Sequence, residues 1–223
     1  MLSCDEVINL YWNQYISIEK EFAETVNYVA LAEDNYRTYS DAYIKIMLQL
    51  GSEVDIALKL YCQILDKQFS GENIDKYRDL IQKYRPEFCD QIVQVTSNNI
   101  EIQPWNNWNK LPSAINPYWW KAYNKIKHDR TNVGTIGSET KNYYKFANLQ
   151  YVLQGLAGLY QTLIYLYYDM ARLEDKSILT PLPGSRTFRL IGDQWNNINF
   201  YGDYAFYINK DGHLIMEYGK PYF

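Results

Sequence analysis

Apolar side chains recur at intervals of three and four over residues 5–31, at Val7, Tyr11, Tyr15, Ile18, Phe22, Val26 and Val29, which is the spacing of one buried helical face. A second stripe runs through Tyr43, Met47, Leu50, Val54, Ala57, Tyr61 and Ile64. It begins behind Ser40, a side chain suited to cap a helix, with Asp41 in the first turn. Gly51 leaves this stripe unbroken but lowers helix propensity by roughly 1 kcal/mol relative to alanine, so a packing role is expected for it. A shorter helix is predicted over residues 73–84, stopping before Pro86 because the residue ahead of a proline avoids the helical region. Residues 92–95 and 100–102 flank Thr96-Ser97-Asn98-Asn99 and predict a small hairpin, its turn exploiting asparagine's tolerance of left-handed backbone.

Pro104, Pro112 and Pro117 mark loops, and the next helix starts near Pro117 and ends at about residues 130–132, ahead of Gly134 and Gly137. The longest helix is expected over residues 139–174, where Phe146, Leu149, Leu153, Leu156, Tyr160, Leu163, Tyr167 and Met170 keep the three-and-four rhythm of antiparallel bundle packing. Beyond Pro181-Leu182-Pro183-Gly184 the period changes to two. Ala205-Phe206-Tyr207-Ile208 and His213-Leu214-Ile215-Met216 predict a hairpin around Asn209-Lys210-Asp211-Gly212, with residues 187–191 and 200–204 as further strands. The fold class is therefore mainly α: a four-helix up-down bundle over residues 1–180, with an irregular, hairpin-bearing insertion at about 85–117. Residues 181–223 form a small antiparallel β appendage that needs the bundle for stability.

Composition narrows the chemistry. None of the apolar runs in the 223 residues approaches the ~20 positions of a membrane span, and Met1-Leu2-Ser3-Cys4-Asp5-Glu6 lacks a basic-then-apolar leader pattern, so a cytoplasmic location without membrane contact is expected. Cys4, Cys62 and Cys89 are odd in number and widely spaced, which reads as reduced packing residues rather than a disulfide framework. With only His128 and His213, neither near a cysteine, no zinc site of ordinary ligand spacing is expected, and no cofactor is implied. His213 reads as the first residue of a strand. Glycine-rich phosphate loops do not occur, and no serine has the strand-turn-helix setting of a nucleophile elbow. The 23 tyrosines, together with Trp119-Trp120 and Trp105-Asn106-Asn107-Trp108, read as core anchors in preference to base-stacking platforms.

A net charge of -4 excludes a surface that is basic everywhere, so any nucleic-acid contact has to be local. Cations do concentrate at Lys121, Lys125, Lys127 and Arg130, interrupted by one acid, Asp129. On a helix Asn124 and His128 share a face, with Tyr123, Lys127 and Arg130 on the adjoining stripe. Cleavage of a phosphodiester by a ribose 2′-hydroxyl needs a proton carrier and donors aimed at the phosphorane oxygens. His128 suits the first role, and Lys127, Arg130 and the Asn124 amide suit the second; a solvated or purely structural histidine is the competing reading. On the second helix two readings compete: Glu53 pairing across the bundle with Lys127, His128 or Arg130, or, as the preferred reading, an ordinary surface or semi-buried ion pair such as Asp55 with Lys59.

The segment Asn124-Lys125-Ile126-Lys127-His128 resembles the R-N-x-x-x-H motif of the HEPN superfamily, with Tyr123 where that motif carries arginine. The resemblance covers about ten residues by motif and roughly residues 40–173 by architecture. It implies a HEPN-like helical bundle and a metal-independent endoribonuclease or toxin of a prokaryotic defence or toxin–antitoxin system. His128 would be the catalytic histidine and Asn124 the residue that orients it or the phosphate. Such proteins usually dimerise to build one composite site, so a homodimer acting on RNA, with an antitoxin or defence partner, is implied. Because a lysine does not reproduce the bidentate grip of a guanidinium, Tyr123 favours the alternative of a catalytically inert HEPN-like module that binds RNA, a nucleotide or a protein, whereas Lys127, His128 and Arg130 together favour the nuclease.

Overall fold

The computed structural model describes residues 3–109, 115–174, 181, 183–192 and 195, together with the backbone of 204–208 and 214–218. Helix α1 (Cys4–Val7) passes through a π-helical turn (Ile8–Trp12) into α2 (Asn13–Val26). The wide turn inserts one residue into the stripe. After Val7 the next side chain on the buried face is therefore Trp12, not Tyr11, and the rhythm resumes at Tyr15, Ile18 and Phe22. Trp12 rests against Tyr15, with ring centroids 4.9 Å apart, and its indole donates to the Pro183 carbonyl at 2.8 Å.

Helix α3 (Asp41–Leu65) starts as expected, with the Ser40 hydroxyl accepting from the Tyr43 amide at 3.2 Å. Helix α4 (Ile74–Tyr84) is capped likewise by Asn73, whose side chain accepts from the Lys76 amide. A 3-10 turn (Pro86–Asp90) then leads to β1 (Ile92–Val95) and β2 (Glu101–Ile102), the predicted hairpin, in which Val93 lies opposite Ile102. Asn99 takes the left-handed conformation at φ 58°. Another 3-10 turn (Asn106–Asn109) precedes α5 (Tyr118–Asp129).

The helix expected to be the longest begins ten residues later than its periodicity suggests and, at 25 residues, equals α3 in length. Residues 139–142 are not its first turn but strand β4 (Glu139–Asn142), paired with β3 (Val133–Ile136) across Gly137-Ser138. Gly137 supplies the positive φ of 63° that this two-residue turn requires, and the Thr135 and Thr140 hydroxyls meet across the strands at 2.8 Å. After a 3-10 turn (Tyr143–Phe146), α6 (Leu149–Leu173) is capped by the buried Asn148 side chain, which accepts from the Tyr151 amide at 2.9 Å. The Thr38 and Tyr36 carbonyls take the Leu149 and Gln150 amides, so donors at the helix start find partners in the segment before α3. Helix α6 is buried around almost its whole circumference and packs on α1, α2, α3 and α5. That follows from apolar residues on every face, not from the one stripe the rhythm picks out.

Residues 187–191, expected in the C-terminal sheet, do form a strand, β5 (Phe188–Ile191), but it pairs with β1. The sheet order is β2-β1-β5, with Val93 opposite Leu190. A buried carboxylate fixes the approach to β5. Glu19 on α2 accepts from the Tyr15 hydroxyl at 2.9 Å, the Thr187 amide at 2.9 Å, the Arg186 amide at 3.2 Å and the Ser185 hydroxyl. Strands β6 (Tyr204–Ile208) and β7 (Leu214–Tyr218) pair antiparallel, as the period-two pattern predicts. Their connection with His213, and residues 200–203 of the remaining strand expectation, lie outside the described residues. The chain is thus mainly helical with small antiparallel sheets. No helix among the described residues is long and apolar enough to cross a membrane.

Candidate nucleic-acid interface

Helix α5 owes its orientation to Trp119, Ala122, Tyr123 and Ile126, buried positions at the three-and-four spacing. Trp119 is wedged against Gly155 and Gly158 of α6, where a β-carbon would approach its ring to 3.3 and 3.0 Å. Together with Trp120, Trp105 and Trp108 it lies in the core, so none of the four tryptophans is available to stack on a base. The opposite side of α5 carries Lys125, Lys127, His128 and Arg130, all exposed, and half-buried Lys121.

These cations are held over aromatic rings more than by acids. Lys121 sits 5.5 Å from the Tyr118 centroid, Lys125 5.3 Å from Tyr143, and Lys127 5.6 Å from Tyr123. The neighbouring segment extends the pattern, with Lys145 5.9 Å from Tyr39 and 5.8 Å from Tyr144. A ring face steadies an ammonium without cancelling its charge, whereas a carboxylate neutralises it. Lys125 reaches Asp129 at 3.5 Å and Lys141 reaches Glu139 at 2.6 Å, but Lys121, Lys127 and Lys145 form no ion pair among the described residues. On a chain of net charge -4, the result is a local concentration of lysines, each beside an aromatic ring, with Asp55, Asp129 and Glu139 among them.

Of the residues singled out from sequence, Asn124 is half-buried and its amide donates to the Trp120 carbonyl one turn back, at 3.0 Å. It lines a cleft of about 500 Å³ shared with Asp55, Asn116, Lys121 and Lys125. His128 is exposed beyond that cleft and has no hydrogen-bond partner among the described residues. Arg130 is also exposed, at the end of the helix, where its carbonyl accepts from the Tyr144 amide. Tyr123 is buried, its ring lying over Gly51 so closely that a β-carbon there would come within 2.1 Å. The packing role expected of Gly51 is therefore to admit this ring. Position 123 is a core position, where a guanidinium would lose its solvation.

Glu53 does not make the anticipated pair with Lys127, His128 or Arg130. It is half-buried, and burial alone pushes its carboxyl above the usual range, with no opposite charge countering it. The acid that reaches α5 from α3 is Asp55, raised by burial and pulled back by Lys127, Lys59 and the Tyr77 hydroxyl. Lys59 itself pairs with Glu72 at 3.9 Å, not with Asp55. The structure thus gathers Asn124, Asp55, Lys121 and Lys125 at one cleft and leaves His128 and Arg130 at the open end of the helix.

The chain matches no protein-family model, no curated protein and no solved structure. Its site is accordingly read from its own residues. Tyr39, Tyr118, Tyr143, Lys141 and Lys145 belong to this surface but escaped the sequence reading. Their signal is the run Lys141-Asn142-Tyr143-Tyr144-Lys145, which the helical rhythm absorbed into α6. No cluster of three or more histidine, cysteine or acidic side chains placed to hold a metal occurs among the described residues.

Proposed function

We propose that this protein is a HEPN-like module that binds RNA on the exposed side of α5 and the adjoining 141–145 segment. The observation that carries the reading is the set of lysines poised over tyrosine rings on an otherwise acidic chain, of which Lys121, Lys127 and Lys145 form no ion pair among the described residues although Asp55 lies near Lys127. Exposed ammonium groups neutralise backbone phosphates, and the partly exposed rings of Tyr118 and Tyr39 offer contacts to unpaired bases. Asn124 is tied to its own helix and the motif's arginine position is a buried tyrosine, which favours binding over cleavage.

The test is fluorescence anisotropy with a labelled single-stranded RNA across a salt series. Replacing Lys121, Lys127 and Lys145 together by glutamine should weaken binding and flatten the logarithmic salt slope by about 0.7 for each phosphate that is no longer neutralised. Unchanged affinity in that variant refutes the reading. A second reading, metal-independent endoribonuclease, is favoured by the exposure of His128 between Lys127 and Arg130. Incubation of the wild type and a His128→Ala variant with RNA and a chelator decides it. Cleavage that disappears with the histidine supports catalysis, whereas identical products remove His128 from the mechanism. Sedimentation of the protein with and without RNA shows whether two copies combine as the resemblance implies.

A further inference from the structure

A larger cavity, of about 900 Å³, opens between the β1–β2 hairpin, the loop at residues 103–107, the start of α5 and the first turns of α6. Its volume falls in the range of small-molecule sites, about 300–1,000 Å³. Its chemistry is unlike that of the α5 surface. The described lining contains no lysine, arginine or histidine, and its only charges are the carboxylates of Glu33 and Glu101. Phosphates and other anions are repelled here.

Seven carboxamides line this space: Asn98 and Gln103 donate to the Leu31 and Asp90 carbonyls, which leaves Asn99, Asn106, Asn107, Gln150 and Gln154. The side chains of these last five make no hydrogen bond among the described residues. Gln150 and Gln154 are the telling pair. They lie one turn apart on α6, half-exposed where nearly all of that helix is buried, so its polar face coincides with the cavity wall. The aromatic contribution is limited in an informative way. Trp119 is 1% exposed, with its indole donating to the Pro104 carbonyl and its ring packed edge-on against Trp105. It offers no open face between which a flat base could slide, whereas Tyr118, 37% exposed, leaves part of its ring at the rim.

We infer that this cavity binds a neutral polyhydroxylated ligand, a mono- to oligosaccharide. A carboxamide both donates and accepts, as a sugar hydroxyl does, so neighbouring hydroxyls and neighbouring amides satisfy one another in pairs. The Glu33 and Glu101 carboxylates accept from further hydroxyls through charge-assisted bonds. The Tyr118 ring takes the apolar C–H face of a pyranose. This site meets the RNA surface at Tyr118, and its test is kept independent by variants at Gln154 and Asn107, which lie outside that surface.

Saturation-transfer NMR on the intact protein with glucose, galactose, mannose, N-acetylglucosamine, maltose, cellobiose and lactose tests the inference, with adenosine and cytidine run alongside. Transfer to the ring protons of at least one sugar is expected. Affinity should fall about fivefold or more in Gln154→Leu and in Asn107→Ala, the scale of one lost hydrogen bond in the site. RNA binding should be unaffected in both variants. Two substitutions on different elements are used so that one remains informative if the other unfolds, which thermal melting reports. Absence of transfer to every sugar, affinity unchanged in the folded variants, or preference for the nucleosides would each overturn the assignment.

Discussion

Gly51→Ala adds a single methyl group at the point where α3 and α5 meet. Its β-carbon would lie 2.1, 2.2 and 2.3 Å from three atoms of the Tyr123 ring, where ordinary contact needs about 3.5–4.0 Å. The ring has to withdraw by roughly 1.5 Å, but Trp120 stands 5.2 Å from its centroid and only 5% of the residue reaches solvent. Overpacking of this severity costs about 3 kcal/mol, the upper end of its usual range, against the roughly 1 kcal/mol by which alanine favours the helix. A net loss of about 2 kcal/mol remains, a fall in Tm of about 4–8 °C for a chain of this size. Differential scanning calorimetry measures it directly. In a Tyr123→Ala background the obstruction is gone, and the same substitution should become stabilising by about 1 kcal/mol. A rise in Tm for Gly51→Ala in the wild-type background would refute the packing described here, and with it the claim that position 123 is closed to a cation.

Three further outcomes are expected. Glu19→Gln replaces a buried acceptor of four hydrogen bonds with a group that carries two donors, and should cost about 1–3 kcal/mol in urea unfolding. Proteolysis should then begin within residues 183–192, whereas cleavage confined to α2 would show that the carboxylate does not anchor that segment. Glu53 has its folded carboxyl pKa raised by burial, so the stability it contributes is present below its unfolded pKa and is lost as pH rises through the folded one. Glu53→Gln should therefore gain on the wild type between pH 4 and pH 7, and a constant difference across that window in chemical denaturation would contradict the assigned burial. The thiols of Cys62 and Cys89 are buried and pushed up to about 12, and Cys4 is buried as well. Ellman's reagent at pH 8 should find no fast-reacting thiol in the native protein and three in guanidinium, and prompt reaction of the folded chain would show that one of these sites opens.

Periodicity and end signals were enough to place α3, α4 and α5, because each combines a regular apolar stripe with a local start or stop: Ser40, Asn73 and Pro86 all act within a few residues of where they stand. The asparagine-rich turn and the pairing of β6 with β7 were legible for the same reason, since a period of two is a local property; the register, with Ile208 opposite Leu214, was not. What escaped depends on partners distant in sequence. The β3–β4 hairpin was hidden because Glu139 to Asn142 is too short to show alternation and sits beside a strong helical rhythm. Strand β5 was read as a strand but given the wrong neighbour, because pairing with β1 depends on the Glu19 anchor, 168 residues from Thr187 in the chain.

The candidate site divides along the same line. That Asn124, Lys127, His128 and Arg130 lie along one helical segment follows from their spacing alone, since spacing along a helix fixes angle. Which carboxylate faces that helix, and whether Tyr123 points to solvent or to the core, depends on how α3 packs against α5. Asp55 and not Glu53 reaches α5 because the rotation of α3 is set by what Gly51 admits. The lysine-over-tyrosine surface and the amide-lined cavity arise in the same way. Each collects residues from several elements whose relative positions follow from the packing of α6 against its neighbours, and no local rule of chain geometry encodes that packing.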